Sequence, residues 1–365
     1  MKHIQNEQLF ISENALTTSL FQEDYIFFDI ETTGFSPTNS SIYLVGCLRR
    51  KNDKLIIDQF FAENKDDEVL VLKEFMYLLN QHSTIISFNG IGFDIPFIKA
   101  KCKTHRIPEK LHSFSYIDIY KLVSSTKFLL KLPNYKQKTI EAFLGLERED
   151  KYSGGELINV YDDYMKNQSE EAEKLLLLHN YEDVTGMVDL LPILSYNHIL
   201  NGAYTIDSVE IAPFTSYDGE NGTEMIITLT NDYTAPKRVS FHYKDFYFTI
   251  NKNETKLRIG VYEGELKYFY ENFKDYYYLP EEDMAIHESV ATFVDKDYRE
   301  KAKASNCYTR KSGQFLPQCA SIMAPVFKEN YKDKITYFEL TEEFIKSDIM
   351  IRRYVEHIFA YANRK

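Results

Sequence analysis

Two acidic side chains end the first strongly apolar segment of the chain. Asp29 and Glu31 close the run YIFFDIE, and because side chains alternate along a strand, both carboxylates point to the same face. Such a pair is common at solvated strand ends, whereas burying two bare carboxylates costs several kcal/mol each. The pair therefore lies either at an exposed strand end or against bound cations. A small polar turn, Thr32–Gly34, follows and leaves room for another backbone segment.

Two further acids lie in segments that carry other reactive side chains. In FNGIGFD, Asn89 offers an amide, two glycines open space, and Asp94 falls in the first turn of a predicted helix, where aspartate is also an ordinary capping residue. In LLLLHNYEDV, His179 and Asp183 lie four residues apart and so share one helical face. The apolar neighbours of this pair indicate a buried helix, in which an ionised aspartate needs a partner. A structural hydrogen bond between His179 and Asp183 is the alternative interpretation.

Four carboxylates offer the donor atoms that two hard divalent cations, Mg²⁺ or Mn²⁺, prefer. Two ions about 3.5 to 4 Å apart can activate water and neutralise the charge that develops during phosphodiester hydrolysis. If Asp29, Glu31, Asp94 and Asp183 meet in the fold, they offer enough carboxylates for two such ions. His179 is expected to orient the attacking water or to accept its proton, with a hydrogen bond to a neighbouring acid as the structural alternative. Without metal, repulsion among the acids should raise the pKa of at least one carboxyl.

The order of strands and helices predicts the scaffold that brings these segments together. Three strands come first, and strands and helices then alternate before a helical region, which is the element order of a mixed sheet covered by helices. The predicted strands are Tyr25–Glu31, Ile42–Leu48, Lys54–Glu63, Thr84–Asn89 and Ser113–Tyr120. The predicted helices are Asp66–Gln81, Phe93–Arg106, Ile119–Leu129, Tyr135–Leu144, Glu156–Lys166 and Ser169–Tyr196. The predicted fold class is therefore α/β, with a mixed five-stranded sheet and flanking helices.

The second half of the chain has a different pattern. Ser208–Tyr278 alternates apolar and polar residues, as expected of antiparallel strands, and a helix is predicted over Thr341–Ala362. A length of 365 residues exceeds what one hydrophobic core usually serves. We predict an N-terminal extension over residues 1–22, an α/β domain over residues 23–200, and a smaller β-rich α+β domain over residues 201–365 whose role the sequence does not reveal.

Two polar segments of the C-terminal domain have a functional and a neutral interpretation each. Arg310 and Lys311 precede Ser312 and Gly313 in NCYTRKSGQFLPQ, which we interpret as a basic loop that meets phosphates or as a solvated turn. The second segment contains the polar residues Glu282, Asp283, His287 and Glu288. We interpret these residues as a further metal cluster or as part of a charged surface helix.

Composition restricts the class of protein. A net charge of −12 argues against a surface that coats nucleic acid as a whole, so contact with a polyanion must be local or mediated by metal. No apolar run approaches the length of a membrane span, and the N-terminus lacks a secretory signal, so we expect a cytoplasmic protein without a membrane partner. The four cysteines lie far apart without a CxxC pair, and we interpret them as buried apolar fillers. They are Cys47, Cys102, Cys307 and Cys319.

Taken in chain order, these motifs resemble the DEDD exonuclease superfamily, which has a ribonuclease H-like fold. The residues of these motifs are most similar to those of the YprB-type ribonuclease H-like proteins. The resemblance covers about residues 20 to 200. The segments that carry it are FFDIETTG (Phe27–Gly34), ISFNGIGFDIPFI (Ile86–Ile98), YIDIYKL (Tyr116–Leu122), Asn134–Gly155 and HNYEDV (His179–Val184).

The resemblance implies roles for individual residues. The four metal-binding acids of the superfamily correspond to the four carboxylates named above. Thr32 corresponds to the position that contacts the terminal nucleotide in relatives, and Asn89 and Phe93 lie where relatives line the substrate cleft. One position departs from the pattern. The tyrosine subtype has tyrosine four residues before its last aspartate, where this chain has His179, and the histidine subtype has histidine five residues before, where this chain has Leu178.

The resemblance further implies a 3′-to-5′ exonuclease that acts on single-stranded ends of DNA or RNA. Two alternatives stay open. One is a nucleic-acid-binding or scaffold module with this fold and little or no hydrolysis, which the departure at His179 motivates. The other is a structure-specific endonuclease that uses the same site. The sequence does not separate DNA from RNA, and it leaves the oligomeric state and the pathway open.

Overall fold

The computed structural model describes residues 1–215 and 219–364, which form two compact units. The first unit comprises Met1–His198 and Tyr233–Lys237, and the second comprises Ile199–Asp232 and the described residues after Lys237. None of the helices in the described part of the chain combines the length and the apolar content of a membrane span.

A mixed six-stranded sheet forms the centre of the first unit. Its strands are β1 (Lys2–Leu9), β2 (Tyr25–Thr32), β3 (Ile42–Lys51), β4 (Lys54–Phe61), β5 (Thr84–Ser87) and β6 (Ser115–Asp118), in the order β1-β4-β3-β2-β5-β6. The first four strands pair antiparallel, while β5 is parallel to both β2 and β6. This arrangement confirms the predicted mixed sheet with flanking helices and corrects its strand count from five to six.

The added strand is β1, which belongs to the segment predicted as an N-terminal extension outside the domain. It pairs with β4 along its whole length, and His3 and Gln5 place ring and amide nitrogens 2.9 and 2.6 Å from the buried carboxylate of Asp58. The sequence KHIQNEQL contains few apolar residues because the strand lies at the edge of the sheet. It therefore lacks the apolar alternation by which strands are predicted.

Helices cover this sheet. They are α1 (Ala15–Leu20), α2 (Glu68–Leu79), α3 (Asp94–His105), α4 (Ile119–Ser124), α5 (Lys127–Leu130), α6 (Gln137–Leu144), α7 (Gly154–Asn167), α8 (Glu170–Leu190) and α9 (Ser195–Leu200). The single helices predicted over Ile119–Leu129 and Ser169–Tyr196 are wrong in their continuity. The first is interrupted between α4 and α5, and the second passes through a 3₁₀ turn that contains Pro192.

The hydrophobic core of the first unit lies between the sheet and these helices. The Phe28 ring of β2 meets Phe75 of α2 with centroids 5.1 Å apart, and Tyr43 of β3 stacks on Tyr161 of α7 at 4.0 Å. Leu176 of α8 is fully buried in the same cluster. Burial of a leucine or phenylalanine side chain contributes about 1.5 to 3 kcal/mol, so these contacts fix the three helices against the sheet.

The second unit is rich in β-structure, as predicted. Its strands are β7 (Tyr204–Thr215), β8 (Asn221–Tyr243), β9 (Phe246–Phe269), β10 (Tyr276–Leu279), β11 (Met284–His287), β12 (Glu300–Lys301), β13 (Tyr308–Gln318) and β14 (Thr336–Glu339). Five form a sheet in the order β14-β13-β9-β8-β7, and three form a small sheet in the order β11-β10-β12. Its helices are α10 (Glu288–Ala291), α11 (Glu342–Lys346) and α12 (Asp348–Ala362).

Three local predictions for this unit are wrong. The segment predicted as a basic loop is strand β13, in which Arg310 and Lys311 form ion pairs with Glu265 and Glu339 at 3.3 and 2.6 Å. The turn signal misled because Gly313 lies within the strand, opposite a glycine of β9.

The other two errors concern helices. The predicted charged helix around residues 282–288 is mostly strand β11, and Asp283 before it accepts hydrogen bonds from the hydroxyls of Tyr278 and Tyr308. These four polar residues do not form a metal cluster in the described structure. The helix predicted over Thr341–Ala362 is divided at Ser347, whose hydroxyl caps α12.

The four cysteines are free. Cys47, Cys102 and Cys307 are buried, and Cys319 is partly buried.

Candidate metal centre

The end of β2 presents the first two carboxylates. Ile26, Phe27 and Phe28 are buried in the core, and after them Asp29 and Glu31 point to one face of the strand. Glu31 is only 7% exposed, so the pair is not a solvated strand end. The alternative interpretation of the D-x-E motif is therefore excluded for Glu31.

A close approach between α8 and the sheet holds Asp29. Gly46 of β3 lies opposite Asp29, and a Cβ atom at this glycine would lie 2.1 Å from Oδ1 of Asn180. The missing side chain lets Asn180 reach the sheet, where its Nδ2 donates to Oδ2 of Asp29 at 3.3 Å and its Oδ1 accepts from Gln59 at 3.1 Å. Asn180 is fully buried and fixes the orientation of the carboxylate.

A tight turn after β5 brings Asp94 to the same place. Because β2 and β5 are parallel, their carboxyl ends lie at the same edge of the sheet. The turn passes through Asn89 at φ 65°, and the carboxylate of Asp118 accepts from the backbone N–H groups of Asn89 and Ile91, each at 3.1 Å. Asp94 then begins α3, is 5% exposed, and directs Oδ1 to the backbone N–H of Ile30 at 3.4 Å.

Helix α8 supplies the remaining predicted pair. Nε2 of His179 lies 3.1 Å from Oδ2 of Asp183 and 3.5 Å from Oε1 of Glu31. One potential ligand atom from each of these three residues lies within 4.8 Å of the others. The arrangement joins Glu31 of β2 and the helical pair into one cluster.

Behind this cluster lies a charged network from α6 and from the segment that joins α6 to α7. Nδ1 of His179 lies 2.6 Å from Oδ2 of Asp150, and Lys138 contacts the same oxygen at 2.7 Å. Nη2 of Arg148 lies 2.6 Å from Oδ1 of Asp183. Both oxygens of Asp183 therefore have polar neighbours, one on each side.

All of the predicted site residues line one cavity of about 370 Å³. They are Asp29, Glu31, Thr32, Asn89, Phe93, Asp94, His179 and Asp183. Phe35, Lys136 and Lys138 line it as well, and the Phe35 side chain is 80% exposed. The cavity thus combines an acidic floor with lysines and exposed aromatic surface.

Burial and mutual repulsion raise the pKa values of three carboxyls that line the cavity. Burial raises the pKa of Asp29 and of Glu31 well above the ordinary carboxyl range, and the charges of neighbouring acids add to the effect. Burial likewise raises the pKa of Asp94 to about 7. The expectation that crowding raises at least one carboxyl pKa agrees with these directions.

The helical pair has a different balance. Burial alone would raise the pKa of Asp183, but hydrogen bonds and charges from His179 and Arg148 outweigh it and lower that pKa. Burial alone would favour the neutral ring of His179, yet Asp183 and Asp150 raise the pKa of the imidazole. The contact between the two side chains thus favours the protonated imidazole and the ionised carboxyl.

These residues fit a pair of divalent cations. Four carboxylates line the cavity, three of them with raised pKa values, and bound cations would relieve the repulsion among them. Oxygen donors of this kind suit Mg²⁺ and Mn²⁺.

Sequence reasoning missed the residues that support this cluster. Asn180 belongs to the recognised motif HNYEDV, and a glycine inside the apolar strand β3 is its only local signal. Arg148, Asp150 and Lys138 lie in the segment Asn134–Gly155, which carries part of the family resemblance but no motif with an evident chemistry. Phe35 is marked only by its place directly after the polar turn Thr32–Gly34.

Comparison with known proteins places this fold among described families. A family model for the RNase_H superfamily matches residues 26–195, which is less than half of the chain. An uncharacterized protein of Methanocaldococcus jannaschii is 27% identical over 176 residues, which cover 46% of this chain and 92% of that protein.

Solved structures give a weaker likeness. The structure of E. coli exonuclease I in complex with a 5cy-dA13 oligonucleotide is 12% identical, with a TM-score of 0.34, over 57% of this chain and 55% of that one. The corresponding complex with a 5cy-dT13 oligonucleotide is also 12% identical, with a TM-score of 0.32, over 57% and 55%. This chain thus spans little more than half of the exonuclease I chains it matches. The RNase_H superfamily model thus matches the region that contains most of the mixed sheet, and this region has a ribonuclease H-like fold.

Proposed function

We propose that the first unit is a metal-dependent nuclease that hydrolyses phosphodiester bonds by a two-metal-ion mechanism. The observation that carries this proposal is the convergence of Asp29, Glu31, Asp94 and Asp183 on one cavity. The superfamily of the domain supports a nuclease-type hydrolase. We further propose the 3′-to-5′ exonuclease type, with single-stranded ends of DNA or RNA as substrate.

The four carboxylates would hold Mg²⁺ or Mn²⁺, which when bound supplies an activated water and neutralises charge on the phosphate oxygens. Asn180 and the backbone of Ile30 orient two of these acids from the protein side. Burial of Glu31 and Asp94 excludes bulk water from the floor of the cavity, so the acids keep their attraction for cations.

The rim of the cavity has groups suited to a nucleic-acid strand. Lys136 is exposed at the rim and offers a positive charge to a phosphate in a chain whose net charge is −12. Phe35, Phe88 and Phe93 also line the cavity, and aromatic rings bind unpaired bases by stacking. Thr32 and Asn89 line the same cavity as the acids and the aromatic rings.

A binding module without hydrolysis is the second candidate. The observation that favours it is the 2.6 Å contact between Nη2 of Arg148 and Oδ1 of Asp183, which already neutralises one of the four acids. This contact leaves Oδ2 of Asp183 directed to His179 and Glu31, so a cation bound through that oxygen is compatible with it. Calorimetric titration with Mn²⁺ separates the candidates, because the binding module predicts no uptake of metal.

The test of the enzyme is degradation of end-labelled oligonucleotides in the presence of Mg²⁺ or Mn²⁺. We expect Asp29→Asn and Asp183→Asn to reduce degradation by more than about 100-fold, since even outer-shell partners of metal ligands are worth about 10- to 100-fold. Asp163→Asn is the matched control, because the side chain of Asp163 is 70% exposed and lies outside the cavity. Inactive wild-type protein, or equal degradation by the Asp29 variant, would contradict the proposal.

The substrates also decide the type of nuclease. Oligonucleotides labelled at either end distinguish the polarity of degradation, and DNA and RNA of the same sequence distinguish the sugar. A closed circular single strand resists an exonuclease, so its cleavage would identify the endonuclease instead.

A further inference from the structure

We propose that Asp150 positions His179 as a nitrogen ligand of the metal centre, and that the centre therefore prefers first-row transition ions to Mg²⁺. The inference rests on the proposed function, because it assigns His179 and Asp150 within the same site. It departs from the expectation that His179 handles the proton of the attacking water, since a nitrogen bound to metal is not free to accept a proton.

Asp150 is anchored to act on the ring of His179. Its side chain is 0% exposed, and Oδ2 lies 2.6 Å from Nδ1 of His179 and 2.7 Å from Nζ of Lys138. Oδ1 accepts from the backbone N–H of Tyr152 at 2.9 Å. An ionised carboxylate held on both oxygens can only accept from Nδ1, so it fixes the tautomer and the orientation of the ring.

This arrangement is the one that metal-bound histidines have. A ligating imidazole donates its second N–H to a carboxylate or carbonyl, which orients the ring and makes the ligating nitrogen more basic. With Nδ1 committed to Asp150, Nε2 faces Oδ2 of Asp183 and Oε1 of Glu31, at 3.1 and 3.5 Å, and a bound cation would replace the proton that Nε2 shares with Asp183 in the metal-free chain.

The distances match a shared ion. Ligand atoms about 2.0 to 2.2 Å from one cation, at octahedral or tetrahedral angles, lie roughly 2.8 to 3.6 Å from one another. Both separations measured from Nε2 fall in this range, and all three potential ligand atoms lie within 4.8 Å of one another. One nitrogen and two carboxylate oxygens thus present a set of three donors on one side of the cavity.

The nitrogen changes which ions the site favours. Mg²⁺ prefers oxygen ligands and keeps several waters, whereas affinity for a site with an imidazole rises from Mn²⁺ toward Co²⁺ and Ni²⁺. The remaining acids, Asp29 and Asp94, offer oxygen alone. His179 therefore makes one of the two proposed ion positions selective.

Pulsed electron paramagnetic resonance of bound Mn²⁺ tests the ligand directly in the full-length chain. We expect a ¹⁴N coupling in the wild type that changes when histidine is labelled with ¹⁵N and that is lost in His179→Gln. His3→Gln is the matched control, because His3 also contacts a buried aspartate, Asp58, at 2.9 Å but lies outside the cavity. The coupling should persist in that variant.

Calorimetry tests the positioning role of Asp150. Asp150→Asn keeps the side-chain volume but removes the charge, and we expect it and His179→Gln to weaken Mn²⁺ binding by about 10- to 100-fold. Mg²⁺ binding should change by less than about threefold, because Mg²⁺ gains little from nitrogen. Circular dichroism shows which variants fold, and two variants at different positions keep the test informative.

The outcomes are distinguishable. Bound Mn²⁺ without a ¹⁴N coupling, or equal weakening for both ions, overturns the inference and leaves the nuclease proposal standing. Absence of any Mn²⁺ or Mg²⁺ binding by the folded wild type overturns both.

Discussion

Arg148 is a buried cation that the sequence motifs did not reveal. Its guanidinium lies 3.1 Å from Glu141, 3.4 Å from Glu182 and 2.6 Å from Asp183, and its side chain is only 10% exposed. The charges of these acids raise the pKa of Arg148 despite its burial, so it stays ionised. It therefore neutralises the outer side of the acidic cluster and leaves the cavity side to bound cations.

Removing this guanidinium should destabilise the first unit. Arg148→Met removes the guanidinium that neutralises Glu141 and Asp183, and we expect the free energy of unfolding to fall by about 3 to 5 kcal/mol. Urea denaturation in the presence of a chelator measures the change. Lys166→Met removes an ion pair whose side chains are 69% and 70% exposed, and it should cost less than about 1 kcal/mol. Similar losses in both variants would contradict a structural role of the buried network.

The raised carboxyl pKa values predict a pH dependence of the metal-free protein. The pKa of Asp94 in the folded chain, about 7, exceeds its ordinary value of 3.8. The protonated carboxyl therefore stabilises the fold at low pH, and this contribution is lost progressively as pH rises to about 7. Between about pH 5 and pH 8, we expect wild type to lose at least about 1.4 kcal/mol more stability than Asp94→Asn, the equivalent of one pKa unit. Parallel pH profiles from chelator-treated samples would contradict the shift.

At the scale of elements, the sequence predicted those that have a strong local pattern. Strands β2 to β5 are apolar and buried, and α2 has helical periodicity, so each was found. Strand β1 was missed because its stability comes from pairing with β4, and β13 because its partners are distant in the chain. The order of elements sufficed to predict a mixed sheet with flanking helices, but not its edge strand β1.

The candidate site follows the same division. The four acids and His179 could be identified because each has a neighbouring motif in the chain. Asn180 and Asp150 could not, since their importance depends on contacts with β2, β3 and α8 that form only in the folded chain. Such long-range contacts leave no local pattern in a single sequence.

The packing of α8 on the sheet depends on a glycine. Gly46→Ala would place a Cβ atom 2.1 Å from Oδ1 of the buried Asn180, so the Asn180 side chain or the helix that carries it must shift. We expect a loss of about 1 to 3 kcal/mol in unfolding free energy, together with weaker Mn²⁺ binding because Asp29 loses its orientation. Gly155→Ala is the same substitution in an open position of α7, where we expect a gain of about 0.4 to 1 kcal/mol. A neutral effect at Gly46 would exclude the steric argument.

At the scale of the whole chain, the first unit is not one continuous segment. Residues 233–237 return to it from β8, so a cut near residue 200 would remove part of the unit. The hydroxyl of the fully buried Tyr196 accepts from the backbone N–H of Lys237 at 3.0 Å and donates to its carbonyl at 2.6 Å. The Tyr196 hydroxyl thereby pairs with both backbone groups of Lys237 in the returning segment.

Tyr196→Phe tests the contribution of this return. The variant removes one hydroxyl and leaves the N–H and carbonyl of Lys237 without that partner, and we expect it to cost about 1 to 3 kcal/mol. Tyr43→Phe is the matched control, because the Tyr43 hydroxyl is buried and has no hydrogen-bond partner among the described residues. Its removal should leave stability unchanged or raise it by about 1 kcal/mol. Thermal and urea unfolding of the two full-length variants measure the difference, and a Tyr196 variant as stable as the Tyr43 variant would show that the returning segment is held by other contacts.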